Sequence, residues 1–157
     1  MKDTPQYLPK FRLAEPIDRA AIDRMIRSYY VHDAHPIDGD KIASSLDAAL
    51  VENQHIRIWV IEVAGETAGY LAVAIGFTIE AGGHDGFLDE LYLEERFRGR
   101  GIGRKAVEFA IAISPSLGIR RLSLEVERQN WRAKRLYENV GFIAHDRILM
   151  SHWIDID

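Results

Sequence analysis

The stretch from Ile56 to Ile79, IRIWVIEVAGETAGYLAVAIGFTI, constrains this chain more than any other. It is two apolar runs broken by a tight turn at Gly65, so it reads as two strands joined back to back. A strand with one wet face alternates apolar and polar residues, whereas one covered on both faces does not. Neither run alternates. Both strands are therefore expected at the centre of a sheet, with further strands beside them and helices packed on it.

The rest of the chain supplies those parts. KFRLA is a short first strand, and Pro16 then sits near a helix start, where its missing N–H costs nothing. Ile17, Ala21, Met25 and Tyr29 recur at helical spacing. After the polar break VHDAHPIDG comes a second amphipathic helix, with Ile42, Leu46, Ala49 and Leu50 on one face. FLDELYL is a strand beyond the turn EAGGHDG. Ile102, Ala106, Phe109, Ala110 and Ile113 then mark a helix that SPSLG ends. IRRLSLEVE alternates as a half-buried strand should, NWRAKRLYENVG is a short helix capped by Asn130 and ended by Gly141, and FIAHDRILMSHWI reads as a last strand. The order β-α-α-β-β-β-α-β-α-β predicts an α/β (α+β) fold with one mixed, mostly antiparallel sheet, formed as a single domain over residues 1–157.

Composition narrows the function classes. A formal net charge of −4 argues against broad nucleic-acid or anionic-membrane binding. The absence of cysteine removes disulfides, thiolate metal sites and a cysteine nucleophile, and agrees with a reducing cytoplasm. The opening MKDTPQYLPK lacks a signal-peptide core, and no apolar run approaches the roughly 18 residues of a membrane span, so the expectation is a soluble, cytoplasmic protein.

Against that acidic background, RFRGRGIGRK at 96–105 stands out as a local basic cluster at the junction of a strand and a helix. A helix start leaves its first amides unpaired and carries partial positive charge, and both favour phosphate. Gly99, Gly101 and Gly103 let an anion reach backbone amides without meeting a Cβ, and Arg98, Arg100, Arg104 and Lys105 add charge. The spacing G-x-G-x-G fits neither G-x-x-x-x-G-K-[ST] nor the dinucleotide pattern G-x-G-x-x-G. It predicts a pyrophosphate cradle of another kind, with a solvated glycine-rich turn as the competing reading.

LYLEERFRGRGIG resembles the acetyl-coenzyme A signature R/Q-x-x-G-x-G/A of the GNAT superfamily of N-acetyltransferases, through Arg98, Gly101 and Gly103. LEVERQNWRAKRLYENVGF resembles the superfamily's second signature through Asn130, Ala133, Tyr137, Gly141 and Phe142. The two occur in the right order. The resemblance implies the superfamily fold, with a splay between the fourth and fifth strands that admits acetyl-CoA. It implies that the backbone from Arg98 through Ile102 to Arg104 holds the pyrophosphate. Leu91 and Leu93 would offer strand-edge groups to the pantetheine arm. Asn130 would bond that arm, with Ala133 beside it, and Tyr137 would lie near the sulfur. The chain most resembles bacterial members grouped with histone and polyamine acetyltransferases.

Acetyl transfer from a thioester to an amine makes three demands: the amine must lose a proton, the oxyanion needs a donor, and the leaving thiolate needs a proton. Tyr137 suits the last, since a phenol of pKa near 10 is protonated at neutral pH. The backbone amide of Tyr92 or Leu93 suits the second. For the first, Asp89 and Glu90 are adjacent, so a regular strand would point them to opposite faces, with Glu90 slightly favoured. His84 and Glu125 are lesser candidates, and Glu125 with Glu127 would also attract a cationic acceptor.

Tyr29, Tyr30 and Asp33, on the first helix and its connector, are expected to line the acceptor pocket. His32 and His35 have no third ligand at a suitable spacing, so no metal is expected. The acceptor is expected to be a small amine, a polyamine or an aminoglycoside-like compound. A protein lysine or N-terminus, a longer acyl donor, and a non-catalytic acyl-CoA-binding module remain as alternatives. The apolar RILMSHWI suggests a homodimer.

Overall fold

The computed structural model describes residues 8–32, 38–51 and 53–155. Strand β1 (Lys10–Leu13) leads through a short turn at Pro16–Asp18 into α1 (Arg19–His32), and α2 (Gly39–Leu50) follows. Asp38 caps α2, its carboxylate accepting from the amides of Asp40 and Lys41. The apolar hairpin is β2 (Ile56–Val63) and β3 (Glu66–Thr78), and β4 (Gly83–Leu93) returns beside β3. Then come α3 (Ile102–Ile113), β5 (Ile119–Ser123) and α4 (Trp131–Asn139).

The strands lie in chain order in one five-stranded sheet, antiparallel except for β4 beside β5. The two unalternating strands are internal, and a core layer sits on each of their faces. On one face Ile22, Met25 and Ile26 of α1 and Leu46 of α2 cover Val60, Tyr70, Ala72 and Tyr92. On the other, Ile102, Ala106, Val107 and Ala110 of α3 cover Leu71, Val73 and Leu88. Each fully buried Ile or Val of this second layer contributes about 1.5–3 kcal/mol relative to exposure. This is why α3, and with it the glycine stretch at its start, is fixed against the end of β4.

The parallel pairing of β4 with β5 runs only from His84 with Ile119 to Phe87 with Ser123. Beyond Phe87, β4 continues to Leu93 with no strand on that side among the described residues, while the chain after Ser123 leaves the sheet. The expected strand IRRLSLEVE is therefore cut short at Ser123, and the gap between the two strands opens there.

The final strand expected over FIAHDRILMSHWI is not formed. Residues 143–155 are irregular, and Ile148, Met150 and Trp153 are exposed. A run of apolar residues becomes a strand only by pairing its backbone with a neighbour, and this segment pairs with none among the described residues. It is held instead by side chains: Arg147 reaches Glu80 at 3.7 Å, and Lys41 lies over the Trp153 ring at 4.9 Å.

Candidate active site

The site is built around the free length of β4. The Glu94 amide donates to the Ala68 carbonyl at 2.9 Å, which sets the alternation of the β3–β4 ladder. By that alternation the backbone groups of Tyr92, paired with Tyr70, turn inward to β3. Those of Leu91 and Leu93 turn to the open edge. Tyr92 thus has no amide to give an oxyanion, and of the two donors expected from sequence only Leu93 keeps its N–H on the open side. The Leu93 carbonyl is taken by Arg98, whose Nε donates to it at 2.7 Å while its guanidinium lies over the Tyr92 ring at 5.4 Å. Close contact of β3 and β4 here requires Gly69, because a Cβ at that position would collide with the Tyr92 carbonyl oxygen.

At the end of β4 the glycine stretch turns back into α3. Gly99 and Gly101 have φ of 71° and 78°, the left-handed region in which a side chain costs about 1–2 kcal/mol. Nothing lies within 4 Å of the place a Cβ would occupy at either. Gly103 differs, since it is helical and a Cβ there would make ordinary contact with Leu93 at 3.8 Å. The first helical bond runs from the Lys105 amide to the Gly101 carbonyl at 3.2 Å. The amides of Ile102, Gly103 and Arg104 precede it and belong to the open first turn. Arg104 is paired with Glu108 at 2.8 Å. Ile102 itself is buried and anchors the turn.

The two carboxylates do not sit as a regular strand would place them. Ala72 faces Glu90 but Val73 faces Leu88, so Asp89 is an extra residue on β4, a β-bulge. The bulge reverses the parity of the strand. Leu88 packs in the α3-side core, as do Leu91 and Leu93, and Glu90 turns to the α1 face with Tyr92. The regular alternation expected along this strand is broken here for this reason.

Glu90 is held on both oxygens. Tyr30 of α1 donates to one at 3.0 Å and Tyr70 of β3 to the other at 2.7 Å. Burial pushes the Glu90 carboxyl above its ordinary value, the Tyr70 and Tyr30 hydroxyls oppose that rise, and the charge of Asp89 adds to it. Burial also raises both phenols, and the charge of Glu90 raises them further, so they remain donors. Asp89 is exposed and makes no hydrogen bond among the described residues. Crowding by the cleft wall still lifts its carboxyl, although its open face limits the effect. The rings of Tyr29, Tyr30, Tyr70 and Tyr92 form a contact chain around Glu90, with Tyr29 to Tyr30 at 5.4 Å and Tyr70 to Tyr92 at 6.1 Å.

Tyr70 is the member that sequence reasoning missed. Its signal was a tyrosine inside a fully apolar strand, whose hydroxyl must find a buried partner. Tyr30 was expected to offer an aromatic face, and its hydroxyl is what the structure employs.

Tyr137 approaches from the other face. It packs against the α3-side core with Leu91, Leu93, Leu124 and Leu136, edge-on to Phe142 at 5.9 Å. Burial raises its phenol, keeping it protonated at neutral pH. Asn130 caps α4, its Oδ1 accepting from the Ala133 amide at 3.1 Å, which leaves its side-chain NH2 for another acceptor.

Among the lesser candidates, Glu125 is exposed just after β5. His84 is exposed at the start of β4, with Nδ1 3.3 Å from the Gly76 carbonyl oxygen. Asp33 and His35, like the side chain of His32, lie outside the described residues. Below Glu90, where β4 and β5 begin to part, is a shallow cavity of about 360 Å³ lined in part by Ala74, Gly76, Thr78, Asp85, Phe87 and Ser123. The Asp85 carboxylate in it is already matched by Arg121, at 3.1 and 2.7 Å.

Comparison with known proteins agrees with this geometry. Residues 20–142 match the acetyltransferase (GNAT) family. The N-acetyltransferase YycN of Bacillus subtilis, itself uncharacterized, is 29% identical over 100 residues, 63% of each chain. The chain thus spans somewhat less than two thirds of that relative's length. Among solved structures, an integron cassette protein from the mobile metagenome of Cole Harbour Salt Marsh superposes with a TM-score of 0.81 at 26% identity, covering 98% of this chain and 93% of that one. An acetyltransferase from Clostridium acetobutylicum with acetyl-CoA superposes at 0.76 and 16% identity, covering 92% and 96%.

Proposed function

The chain belongs to the acetyltransferase (GNAT) family, and on that premise we propose that it is an acetyl-CoA-dependent N-acetyltransferase acting on a primary amine by direct attack in a ternary complex. The observation that carries the reading is the unpaired edge of β4 beyond Phe87, with the glycine turn at its end, Glu90 on the α1 face and Tyr137 on the other. The residues fit the donor. Open space above Gly99 and Gly101 leaves the amides of the first turn of α3 accessible to a pyrophosphate. The edge N–H and carbonyl of Leu91 suit a peptide-like arm, which leaves the N–H of Leu93 for the acetyl carbonyl. The resemblance to an acetyltransferase crystallised with acetyl-CoA supports the same donor.

Acetyl-CoA would supply the activated acetyl group. The chain does the rest. Glu90, ionised and fixed, takes the proton of the incoming ammonium directly or through one water, freeing the nitrogen lone pair. The Leu93 amide donates to the carbonyl oxygen as charge develops on it. Tyr137 gives its proton to the departing sulfur. Asp89 adds negative charge that draws the cationic acceptor to the cleft. A second reading makes Asp89 the base, because it is exposed at the bulge and no other side chain among the described residues holds it.

For the acceptor we propose a small amine with one ammonium at the reacting end. The Asp85 charge is already neutralised by Arg121, so the cavity below the carboxylates offers little to a second cation. A lysine side chain of a protein is the alternative acceptor. The net charge of −4 supports a small partner over nucleic acid. We also propose a homodimer formed through residues 143–155, whose Ile148, Leu149, Met150 and Ile154 are exposed. Sedimentation of the full chain beside one truncated after Phe142 tests it, and a monomeric full chain refutes it.

The functional test is thiol release from acetyl-CoA over a panel of spermidine, a monoamine, an aminoglycoside and a lysine-containing peptide. Glu90→Gln should lower kcat on the best acceptor by about 10²–10⁴-fold. If Asp89→Asn does so and Glu90→Gln does not, the second reading holds. Tight coenzyme A binding with no turnover on any amine would refute catalysis and leave an acyl-CoA-binding module.

A further inference from the structure

Glu90 is a carboxylate carried by a sheet yet gripped from two directions. Tyr30 lies 60 positions away on α1, and Tyr70 lies 20 positions away on β3. Each donates to a different oxygen, so the two bonds fix both the position of the carboxylate and the rotation of its plane. Tyr70 is among the most completely buried side chains of the described residues, and Glu90 is half-buried. A carboxylate so placed would take a proton to escape its own desolvation unless donors compensate the charge.

We infer that Tyr30 and Tyr70 are positioning residues that clamp Glu90 and keep it ionised, so that it can receive a proton from the acceptor amine. The inference rests on the proposed acetyl transfer for its use, but the clamp itself is a property of the free protein. Each carboxylate oxygen has two acceptor sites, and one tyrosine fills one of them. The remaining site on either oxygen stays open to an amine N–H or a water. In the step concerned, a substrate N–H bond breaks, its proton bonds to Glu90, and the electron pair stays on nitrogen.

The surroundings leave few other groups to play this part. The titratable side chains facing Glu90 are Tyr29 and Tyr30 from α1, Tyr70 from β3, and Asp89 on its own strand. Tyr92, with Arg98 over its ring, lies one residue pair further along. From α2 the layer receives Ile42, Leu46 and Ala49, none of them titratable. No cation is paired with Glu90 among the described residues, so neutral hydroxyls have to do what an arginine would otherwise do. They do it without cancelling the negative charge that a proton acceptor needs.

The test has one arm that needs no substrate. With carbon-13 at the glutamate side-chain carboxyls, the Glu90 resonance is the one missing from Glu90→Gln, and its titration is followed in wild type, Tyr30→Phe and Tyr70→Phe. Both phenylalanine variants should titrate at higher pH than wild type. In the kinetic arm, with the panel amine that reacts fastest, the acid limb of kcat/KM should move the same way. A one-unit move of that limb should lower kcat/KM about tenfold at pH values below it, with the KM for acetyl-CoA unchanged. Tyr30→Phe keeps the test intact if the deeper Tyr70→Phe fails to fold. A Glu90 resonance titrating at its wild-type pH in the folded variants overturns the clamp. If the resonance moves and the kinetic limb does not, the clamp stands and Glu90 is not the base.

Discussion

Replacing Gly101 by leucine, beside the same change at Gly65, separates backbone strain from ligand binding. The two glycines are matched: φ is 78° at Gly101 and 82° at Gly65, and nothing lies within 4 Å of a Cβ at either. One begins α3, and the other turns the β2–β3 hairpin. Each substitution should therefore cost only the left-handed penalty of about 1–2 kcal/mol. In a domain of this size 1 kcal/mol shifts Tm by about 2–4 °C, so both variants should melt about 2–8 °C lower than wild type. Coenzyme A should then distinguish them. A side chain at 101 stands before the amides of the first turn, and one lost bond to a charged group is worth about 1.5–3 kcal/mol. That predicts a Kd about 10- to 150-fold weaker for Gly101→Leu and unchanged for Gly65→Leu. In melting scans, coenzyme A at about 100 times the wild-type Kd adds about 2.7 kcal/mol, or about 5–11 °C, to wild type and to Gly65→Leu. A 30-fold weaker variant gains about 2–3 °C. Calorimetric titration gives Kd directly. If Gly101→Leu binds coenzyme A as wild type does while melting like Gly65→Leu, the pyrophosphate does not sit on these amides.

Tyr137→Phe should lower kcat about tenfold or more while leaving the coenzyme A Kd in place, because the ring still packs against Phe142 and only the proton donor is gone; steady-state kinetics with calorimetry checks both. Gly69→Ala should destabilise by about 1–3 kcal/mol, since its Cβ would collide with the Tyr92 carbonyl, and a wild-type Tm by scanning fluorimetry would refute that contact. The Asp18 carboxyl, bonded by Arg12 at 2.8 and 2.9 Å and by the Glu15 amide, is held below its ordinary value by those donors. Its contribution is present above that value and is lost as pH falls through the lower folded one. Asp18→Asn should therefore be about 1 kcal/mol less stable than wild type near pH 7 and indistinguishable from it in strong acid, as urea unfolding across pH would show.

Much of this protein is local enough to be read along the chain. The unalternating runs of β2 and β3 place those strands inside the sheet, because covering both faces is the only way to bury such residues. Asn130, Gly101 and Pro16 mark helix boundaries because each satisfies or removes a backbone demand within a few positions of itself. The same locality makes the glycine turn at the start of α3 legible, and with it the family. What depended on the fold was everything set by register between distant strands. Asp89 follows Leu88 in sequence, but only pairing with β3 shows it as the extra residue that turns Glu90 toward α1. Tyr30 and Tyr70 meet Glu90 because a helix and a neighbouring strand carry them there, a coincidence no spacing rule encodes. The last apolar segment reads as a strand by composition and is none, since a strand exists only in the pairing of its backbone with a neighbour, and that pairing belongs to the assembled sheet.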